Sequence, residues 1–200
     1  MKQIDYFMVP SSPWTYLGHE RLGQIAARHG ASINLKPFDL GRVFPLSGGL
    51  PLPKRAPQRQ KYRFEELARW RDELKLPLTL EPAFFPVPVE DAMRVIVAAQ
   101  ISHGPDQAFT LAGAIMKAVW ADERNIGDPK TLAMLADEQG MDGQELLAQS
   151  ASVQADIEHN TEEAIDSNVF GSPWYRIDGH NFWGQDRLDF VDKALQQTGQ

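Results

Sequence analysis

The chain has 200 residues, of which 42% are hydrophobic and 24% are charged, and its formal net charge at pH 7 is −7. This length and composition are typical of a globular protein that folds without disulfides or structural metals, and they exclude the fibrous and wholly disordered classes. The acidic balance argues against a general nucleic-acid binder, because contact with a phosphate backbone takes a broad basic face.

The chain opens with the pattern of a strand, a helix and a second strand. Residues 3–9 predict a short apolar strand that ends at the Pro- and Ser-rich segment 10–13. Residues 14–29 carry apolar side chains at helical spacing, and Gly30 stands where a helix would stop. Residues 32–38 alternate apolar and polar side chains and predict the second strand. Two strands joined by a helix are expected to pair in parallel.

Residues 41–60 are rich in proline and glycine, carry a basic cluster, and predict a long structured loop rather than a helix or strand. The next hundred residues predict helices alone, mostly with Pro, Asp or Gly at the breaks. These helices are expected at 62–74, 88–103, 105–122, 129–139 and 142–167.

A sheet pattern returns after Asn168. Residues 174–177 and 181–183 predict a hairpin around a turn at 178–179, and a last helix is expected from residue 185 to about Gln197. The order of elements predicts an α/β core interrupted by a helical insertion.

No segment approaches the roughly 18 consecutive apolar residues of a membrane span, and the first residues lack the apolar stretch of a signal peptide. We therefore expect a cytoplasmic protein that does not contact membranes. The five histidines have no metal-ligand spacing, so no metal site is predicted.

The chain contains no cysteine. It therefore has no thiol nucleophile, no dithiol and no cysteine-based metal site. Any sulfur chemistry has to use the thiol of another molecule.

The junction between the first strand and the first helix is the most informative segment. Ser12 suits a helix N-cap and Pro13 the first helical position. A cap and nothing more would satisfy this pattern. A helix N-terminus also offers free backbone N–H groups and partial positive charge, however, which favour a bound anion or thiolate, and a hydroxyl there can donate a hydrogen bond.

Two further segments favour a binding site. Ser172 precedes Pro173 directly before the returning strand. A cis bond there would expose backbone groups that pair with an extended peptide-like ligand, whereas an ordinary turn proline is the alternative. Residues 182–187 place Gly184 and polar side chains at the opening of the last helix, which suits either the charged end of a ligand or a plain helix start.

Together these segments resemble the 2-hydroxychromene-2-carboxylate isomerases and kappa-class glutathione transferases of the DsbA-like thioredoxin superfamily. The resemblance spans nearly the whole chain and implies a thioredoxin-like α/β core at 1–45 and 154–200 with an all-helical insertion domain at 46–153. The segments that carry it are 12–17, Tyr62-Arg63 to Arg69-Trp70, 118–120 with Asp128, 160–164, 169–173 and 182–188.

The resemblance implies that Ser12 is the catalytic residue and holds the sulfur of bound glutathione, where redox relatives carry their first cysteine. The hydroxyl donor and the helix dipole would both favour the thiolate and so lower the pKa of the borrowed sulfur. Ser172 matches a position that grips the backbone of the tripeptide. The positions that match those holding its glutamyl end are Trp183, Gly184, Gln185 and Asp186.

For the isomerase branch the resemblance implies a substrate with an aromatic ring and a carboxylate, held between the core and the helical block. Lys54 and Arg55 match a polar pair in the substrate loop and would form an anion clamp. Solvated loop charges are the alternative, since Arg59 and Lys61 are also nearby and the sequence does not rank the four.

Phe44 and Phe85 match substrate-side positions and would form apolar walls for the ring, with core packing as the alternative. Two positions depart from the family pattern. Phe44 stands where the isomerases have a lysine, a loss for which Lys54 and Arg55 could compensate, and Asn168 replaces a glycine often found before Val-Phe-Gly.

The implied reaction converts 2-hydroxychromene-2-carboxylate, or a related aromatic-ring catabolite, to trans-o-hydroxybenzylidenepyruvate by reversible addition of glutathione thiolate, as in naphthalene degradation. The related proteins also imply a homodimer. A kappa-like transferase would use the same Ser12 site, and a non-catalytic peptide-binding module would use the Pro173 loop. Dithiol exchange is excluded because neither Ser12 nor Thr15 forms a disulfide, and a serine hydrolase is disfavoured because the chain has no Gly-x-Ser-x-Gly elbow.

Overall fold

The fold is built on a four-stranded mixed sheet in a computed structural model that describes residues 2–196. β1 pairs with β2 in parallel and with β3 in antiparallel fashion, and β3 forms a hairpin with β4. The predictions of a parallel first pair and of a late hairpin are therefore confirmed. In the spatial order β2-β1-β3-β4 the strands are β1 (Gln3–Met8), β2 (Ser32–Pro37), β3 (Trp174–Ile177) and β4 (His180–Trp183).

Helices cover the sheet and form the long middle part of the chain. They are α1 (Pro13–His29), α2 (Leu40–Ser47), α3 (Pro57–Leu74), α4 (Glu90–His103), α5 (Pro105–Trp120), α6 (Pro129–Glu138), α7 (Gly143–Ser150), α8 (Gln154–Asp166) and α9 (Leu188–Gln196). Two 3-10 turns, Leu52–Lys54 and Gln185–Arg187, precede α3 and α9. None of the helices described in residues 2–196 is both long and apolar enough to cross a membrane.

The loop predicted over residues 41–60 is wrong, because α2 and the start of α3 occupy much of it. The Asp39 carboxylate accepts from the N–H groups of Gly41 at 2.8 Å and Arg42 at 3.3 Å and so caps α2. Pro57 takes the first position of α3, where its missing N–H costs nothing. The prolines and glycines here mark the ends of short helices.

The single helix predicted over residues 142–167 is also wrong, because α7 and α8 are separate. The Ser150 hydroxyl donates to the carbonyl of Leu147 at 2.7 Å, and that of Ser152 donates to Gln149 at 2.8 Å. Such bonds compete with the helical ladder and favour its termination.

The predicted last helix begins as the 3-10 turn Gln185–Arg187 before α9, and its predicted end at Gln197 lies outside the described residues. Residues 1 and 197–200 of the predicted core domain also lie outside the described residues. The division into a core and an insertion stays a prediction.

The helices between α2 and α8 share their core with the sheet. Gln100 of α4 accepts from the N–H of Leu35 at 2.8 Å and donates to its carbonyl at 3.2 Å, which fastens α4 to the edge strand β2. Phe109 of α5 stacks on His19 of α1 with 3.8 Å between ring centroids. One continuous cluster of buried apolar side chains joins α1, the sheet, α4 and α5, so the first helix is held on several sides.

A second, smaller apolar cluster lies around α2 and α8. The Thr161 hydroxyl oxygen accepts from the N–H of Asp39 at 3.0 Å, and Arg42 pairs with Glu162. These contacts attach α2, and with it Phe44, to α8.

The topology brings three chain segments to one end of the sheet. β1 runs into the tip of α1, and β3 starts next to it because Phe7 pairs with Trp174. β4 ends opposite the start of β3, where Trp183 pairs with Trp174. Ser12, Ser172 and Gly184 are thereby brought together.

Candidate active site

Ser12 is the N-cap of α1. Its backbone is extended, with φ −77° and ψ 122°, and its hydroxyl oxygen accepts from the N–H of Thr15 at 3.3 Å. Pro13 follows at the first helical position, and the first turn contains no acidic side chain. The partial positive charge at this helix tip is therefore not neutralised locally.

The Ser12 hydroxyl also donates to the carbonyl oxygen of Ser172 at 3.3 Å. The bond between Ser172 and Pro173 is cis, so the alternative of an ordinary trans turn proline is set aside. The Ser172 side chain is fully engaged: its oxygen accepts from the N–H of Val9 at 2.9 Å and is hydrogen bonded to the Thr15 hydroxyl at 2.9 Å. Ser172 therefore offers a ligand its backbone rather than its hydroxyl.

Thr15 is a member of this network that the sequence interpretation passed over. It is fully buried, and its hydroxyl links the first turn of α1 to Ser172. From the sequence, Thr15 was considered only as a residue that forms no disulfide. Its spacing of three from Ser12, one helical turn, is the pattern that points to a shared location.

Trp183 and Gly184 border the cis peptide. Gly184 has φ 98°, a conformation that favours glycine, and its N–H donates to the carbonyl of Pro173 at 3.0 Å. Trp183 is 52% exposed and packs edge-on against Phe170 with 4.7 Å between ring centroids. Its indole lies so close to Gly171 that a side chain there would collide with it. An exposed aromatic rim therefore stands next to Ser172.

Gln185 and Asp186 differ in what they offer. Gln185 is buried, and Arg21 donates to its backbone carbonyl at 3.1 Å and to its side-chain oxygen. Its side-chain oxygen and its backbone carbonyl are thus committed to Arg21, which leaves the side-chain NH2 group to touch a ligand. Asp186 is exposed, and its carboxylate accepts from Arg187 at 2.6 Å.

These groups fit a small thiol peptide such as glutathione. A hydroxyl donor at a helix N-terminus suits a thiolate, backbone beside a cis proline suits an extended peptide, and the Asp186 carboxylate suits an α-ammonium group. Within residues 2–196 no group of three or more His, Asp or Glu side chains is placed to hold a metal ion.

On the substrate side, the structure brings two of the four predicted residues together. The Arg55 guanidinium lies 6.0 Å from the ring of Phe44, and its Nε donates to the carbonyl of Leu50 at 2.8 Å. Phe85 is half-buried and packs against Trp120 with 4.8 Å between centroids. Lys54 is exposed, and in the described part of the chain its ammonium group has no hydrogen bond or ion pair.

Arg63 is the cation that the sequence interpretation missed. It is 8% exposed, and its guanidinium lies 5.4 Å from the ring of Phe85 and 5.7 Å from that of Trp120. Burial, with the nearby charge of Arg55, lowers its pKa to about 10. The sequence pattern that could have identified Arg63 is the four-residue spacing of Arg55, Arg59 and Arg63.

A model of the DSBA-like thioredoxin domain matches residues 3–196. A 2-hydroxychromene-2-carboxylate isomerase of Sphingobium xenophagum is 29% identical over 197 residues, which cover 97% of this chain and 98% of that protein. Glutathione s-transferase kappa 2 of Caenorhabditis elegans is 27% identical over 213 residues, covering 98% and 92%. A solved structure of a 2-hydroxychromene-2-carboxylate isomerase superposes with a TM-score of 0.83 at 24% identity, covering 98% of this chain and 95% of that one.

Proposed function

The chain belongs to the family of DSBA-like thioredoxin domains, and within that family we propose that it is a glutathione-dependent isomerase of an unsaturated aromatic carboxylate. Its substrate would be 2-hydroxychromene-2-carboxylate or a related ring-cleavage product. The observation that carries the proposal is the Ser12 hydroxyl at the tip of α1, 3.3 Å from the carbonyl that precedes the cis proline, in a chain without cysteine.

Glutathione, when bound, would supply a thiolate able to add reversibly to an unsaturated carbon. Ser12 would provide the donor that stabilises the sulfur in its charged form. Its present bond to Ser172 is long for an O–H···O bond, which ordinarily spans about 2.5–3.0 Å, so this donor is readily redirected. The N-terminal charge of α1 acts in the same direction.

The peptide part of glutathione would be held by two kinds of group. The backbone of Ser172 would bind its extended middle, and Trp183, Gly184 and the Asp186 carboxylate would bind its glutamyl end, the carboxylate through the ammonium group. Gln185 would contribute as a donor, because its side-chain oxygen and its backbone carbonyl already accept from Arg21.

The substrate would lie across the half-buried rings of Phe44 and Phe85, with arginine side chains for its carboxylate. Aromatic walls beside cations favour an anionic aromatic compound over a neutral electrophile. The likeness to curated isomerases over nearly the full length of both chains supports this assignment.

A kappa-like transferase is the second candidate, supported by the kappa relative. It would use the same Ser12 site, and the two candidates differ in the fate of the thiol. An isomerase returns glutathione unchanged, whereas a transferase leaves a stable thioether.

The test is incubation of the protein with glutathione and 2-hydroxychromene-2-carboxylate, followed by product analysis and by titration of remaining thiol. We expect trans-o-hydroxybenzylidenepyruvate with no net loss of glutathione. A thioether with stoichiometric thiol loss would establish the transferase instead. A protein that neither turns over the substrate nor binds glutathione in a calorimeter would refute both.

A further inference from the structure

Most arginine side chains in this acidic protein are paired. Across residues 2–196, eight of the chain's twelve arginines bond to an aspartate or glutamate, and Arg21 bonds to Gln185. In the same range, the remaining three have no acidic partner, and the hydrogen bond from Arg55 Nε to the carbonyl of Leu50 is the one bond that their side chains make. These three are Arg55, Arg59 and Arg63.

The three unpaired arginines are neighbours. Arg59 and Arg63 are four residues apart on one face of α3, and Arg55 lies just before that helix. The charges act on each other: Arg59 contributes to lowering the pKa of Arg55, and Arg55 to lowering that of Arg63, beside the larger effect of burial. These three positive charges lie together without an acidic side chain to neutralise them, although the protein has a net charge of −7. An anionic ligand is therefore the expected counterion.

Arg63 is the deepest of the three. Its guanidinium faces the rings of Phe64, Phe85 and Trp120 at 5.7, 5.4 and 5.7 Å. Such contacts stabilise the cation, but they leave its five N–H donors without acceptors in the described structure. With 8% of the residue exposed, these donors reach solvent and are open to an anionic acceptor.

A second donor near Arg63 also lacks an acceptor. The indole N–H of Trp120 is buried without a hydrogen-bond partner, and its ring contacts both Arg63 and Phe85. The Trp120 N–H is sealed from a ligand, whereas the Arg63 guanidinium beside the half-buried ring of Phe85 suits a ligand that combines an anion with an aromatic surface.

We propose that Arg63, with Arg55 and Arg59 nearer the solvent, is the anion receptor of the substrate site and binds a carboxylate whose aromatic ring packs on Phe85. The inference rests on the proposed function for the identity of the substrate. A planar guanidinium can bind a carboxylate through two parallel hydrogen bonds, which an ammonium group cannot do. The same chemistry would accept the glycine carboxylate of glutathione, and the experiment separates the two sources.

The probes are trans-cinnamate and its uncharged analogue cinnamamide, titrated calorimetrically into the protein without glutathione. The variants are Arg63→Met, which replaces the unpaired cation with an apolar chain of similar length, and Arg63→Lys. The control is Arg69→Met, on the same helix, where the exposed arginine pairs with Glu65 and Glu66.

We expect cinnamate to bind the wild type and Arg69→Met alike, and Arg63→Met about 10- to 100-fold more weakly, the loss typical of a charge-assisted bond. Arg63→Lys should recover part of the affinity. Cinnamamide should bind all four proteins weakly and equally. With the chromene substrate, KM should rise by a similar factor in Arg63→Met while kcat falls less.

Equal cinnamate affinity in the wild type and Arg63→Met, or no binding to either, would overturn the proposal. A loss of glutathione affinity in Arg63→Met with unchanged cinnamate affinity would assign Arg63 to the glycine carboxylate and overturn the substrate role. Cinnamate binding that depends on Arg63 in a protein without isomerase activity would uphold the receptor and refute the proposed function alone.

Discussion

The Ser12 hydroxyl and the Ser172 carbonyl, 160 residues apart in the chain, are joined by a hydrogen bond of 3.3 Å. The bond connects the tip of the first helix to the cis peptide at Pro173. The Ser12 hydroxyl, which donates this bond, is also the group proposed to stabilise the glutathione thiolate.

Replacing Ser12 by alanine should remove most of the isomerase activity. One preorganised donor to developing charge is worth about 100- to 1,000-fold in rate, so we expect kcat/KM to fall by that factor. Loss of the N-cap should lower the free energy of unfolding by only about 1 kcal/mol. Steady-state kinetics and urea unfolding measure the two effects, and Ser11→Ala is the control. Undiminished turnover in Ser12→Ala would remove this hydroxyl from the mechanism.

Replacing Ser12 by cysteine should convert the site into one that captures glutathione covalently. A thiol at a helix N-terminus has a lowered pKa and reacts readily with disulfides. After incubation with glutathione disulfide, intact-mass spectrometry should show one added glutathionyl group on Ser12→Cys. The control, Ser11→Cys, should react far more slowly. Equal labelling of the two variants would argue against a peptide site centred on residue 12.

Asp186 and Gln185 should have opposite phenotypes. Asp186→Asn removes an exposed charge, so we expect about tenfold weaker glutathione binding, near 1.4 kcal/mol, with unchanged stability. Gln185→Ala removes the buried side-chain acceptor of Arg21 and leaves it the backbone carbonyl of residue 185, so it should lower the free energy of unfolding by about 1–3 kcal/mol. Calorimetry and urea unfolding distinguish them. A stability loss in Asp186→Asn without a binding defect would contradict its assignment.

His19 should make the stability depend on pH. Burial lowers its pKa from 6.5 to about 4, an effect only partly opposed by the hydrogen bond to the Phe109 carbonyl. The unfolded chain therefore binds more protons between these values, and stability is lost as the pH falls from about 6.5 towards 4. We expect the free energy of unfolding to be about 2 kcal/mol lower near pH 5 than near pH 7.5 on account of this group.

Urea unfolding at the two pH values measures the difference, and His19→Gln should abolish most of it. The exposed His180 provides the control, because His180→Gln should keep the wild-type dependence. A pH dependence unchanged in His19→Gln would place its origin elsewhere.

Much of the fold could be predicted from the sequence because its strands and first helix carry local patterns. The apolar run of β1, the stop at Gly30 and the hairpin turn at 178–179 all lie where the patterns put them. The match of the DSBA-like domain and the likeness to the solved isomerase confirm the resemblance and the thioredoxin-like fold. The substitution of Asn168 for glycine is also explained, since Asn168 has φ 57°, a conformation that asparagine tolerates better than most residues.

The other parts of the fold and of the site could not be predicted, because they depend on contacts between segments that are distant in the sequence. Nothing near Gln185 in the sequence indicates that Arg21 would occupy its side chain, and nothing in α3 indicates that Phe85 and Trp120 would enclose Arg63. The helix α2 was missed because proline and glycine were interpreted as a loop, whereas the cap at Asp39 decides its start. The homodimer stays a prediction.

The exposure of Trp183 makes tryptophan fluorescence a probe of ligand binding in this protein. Its indole is half open to solvent at the rim of the peptide site, while Trp120 is sealed in the core. A soluble quencher such as acrylamide will reach the first ring and not the second. Shielding of the outer ring by a bound tripeptide would therefore register as reduced quenching, with Trp183→Phe as the reference for the half-buried Trp14 and Trp70.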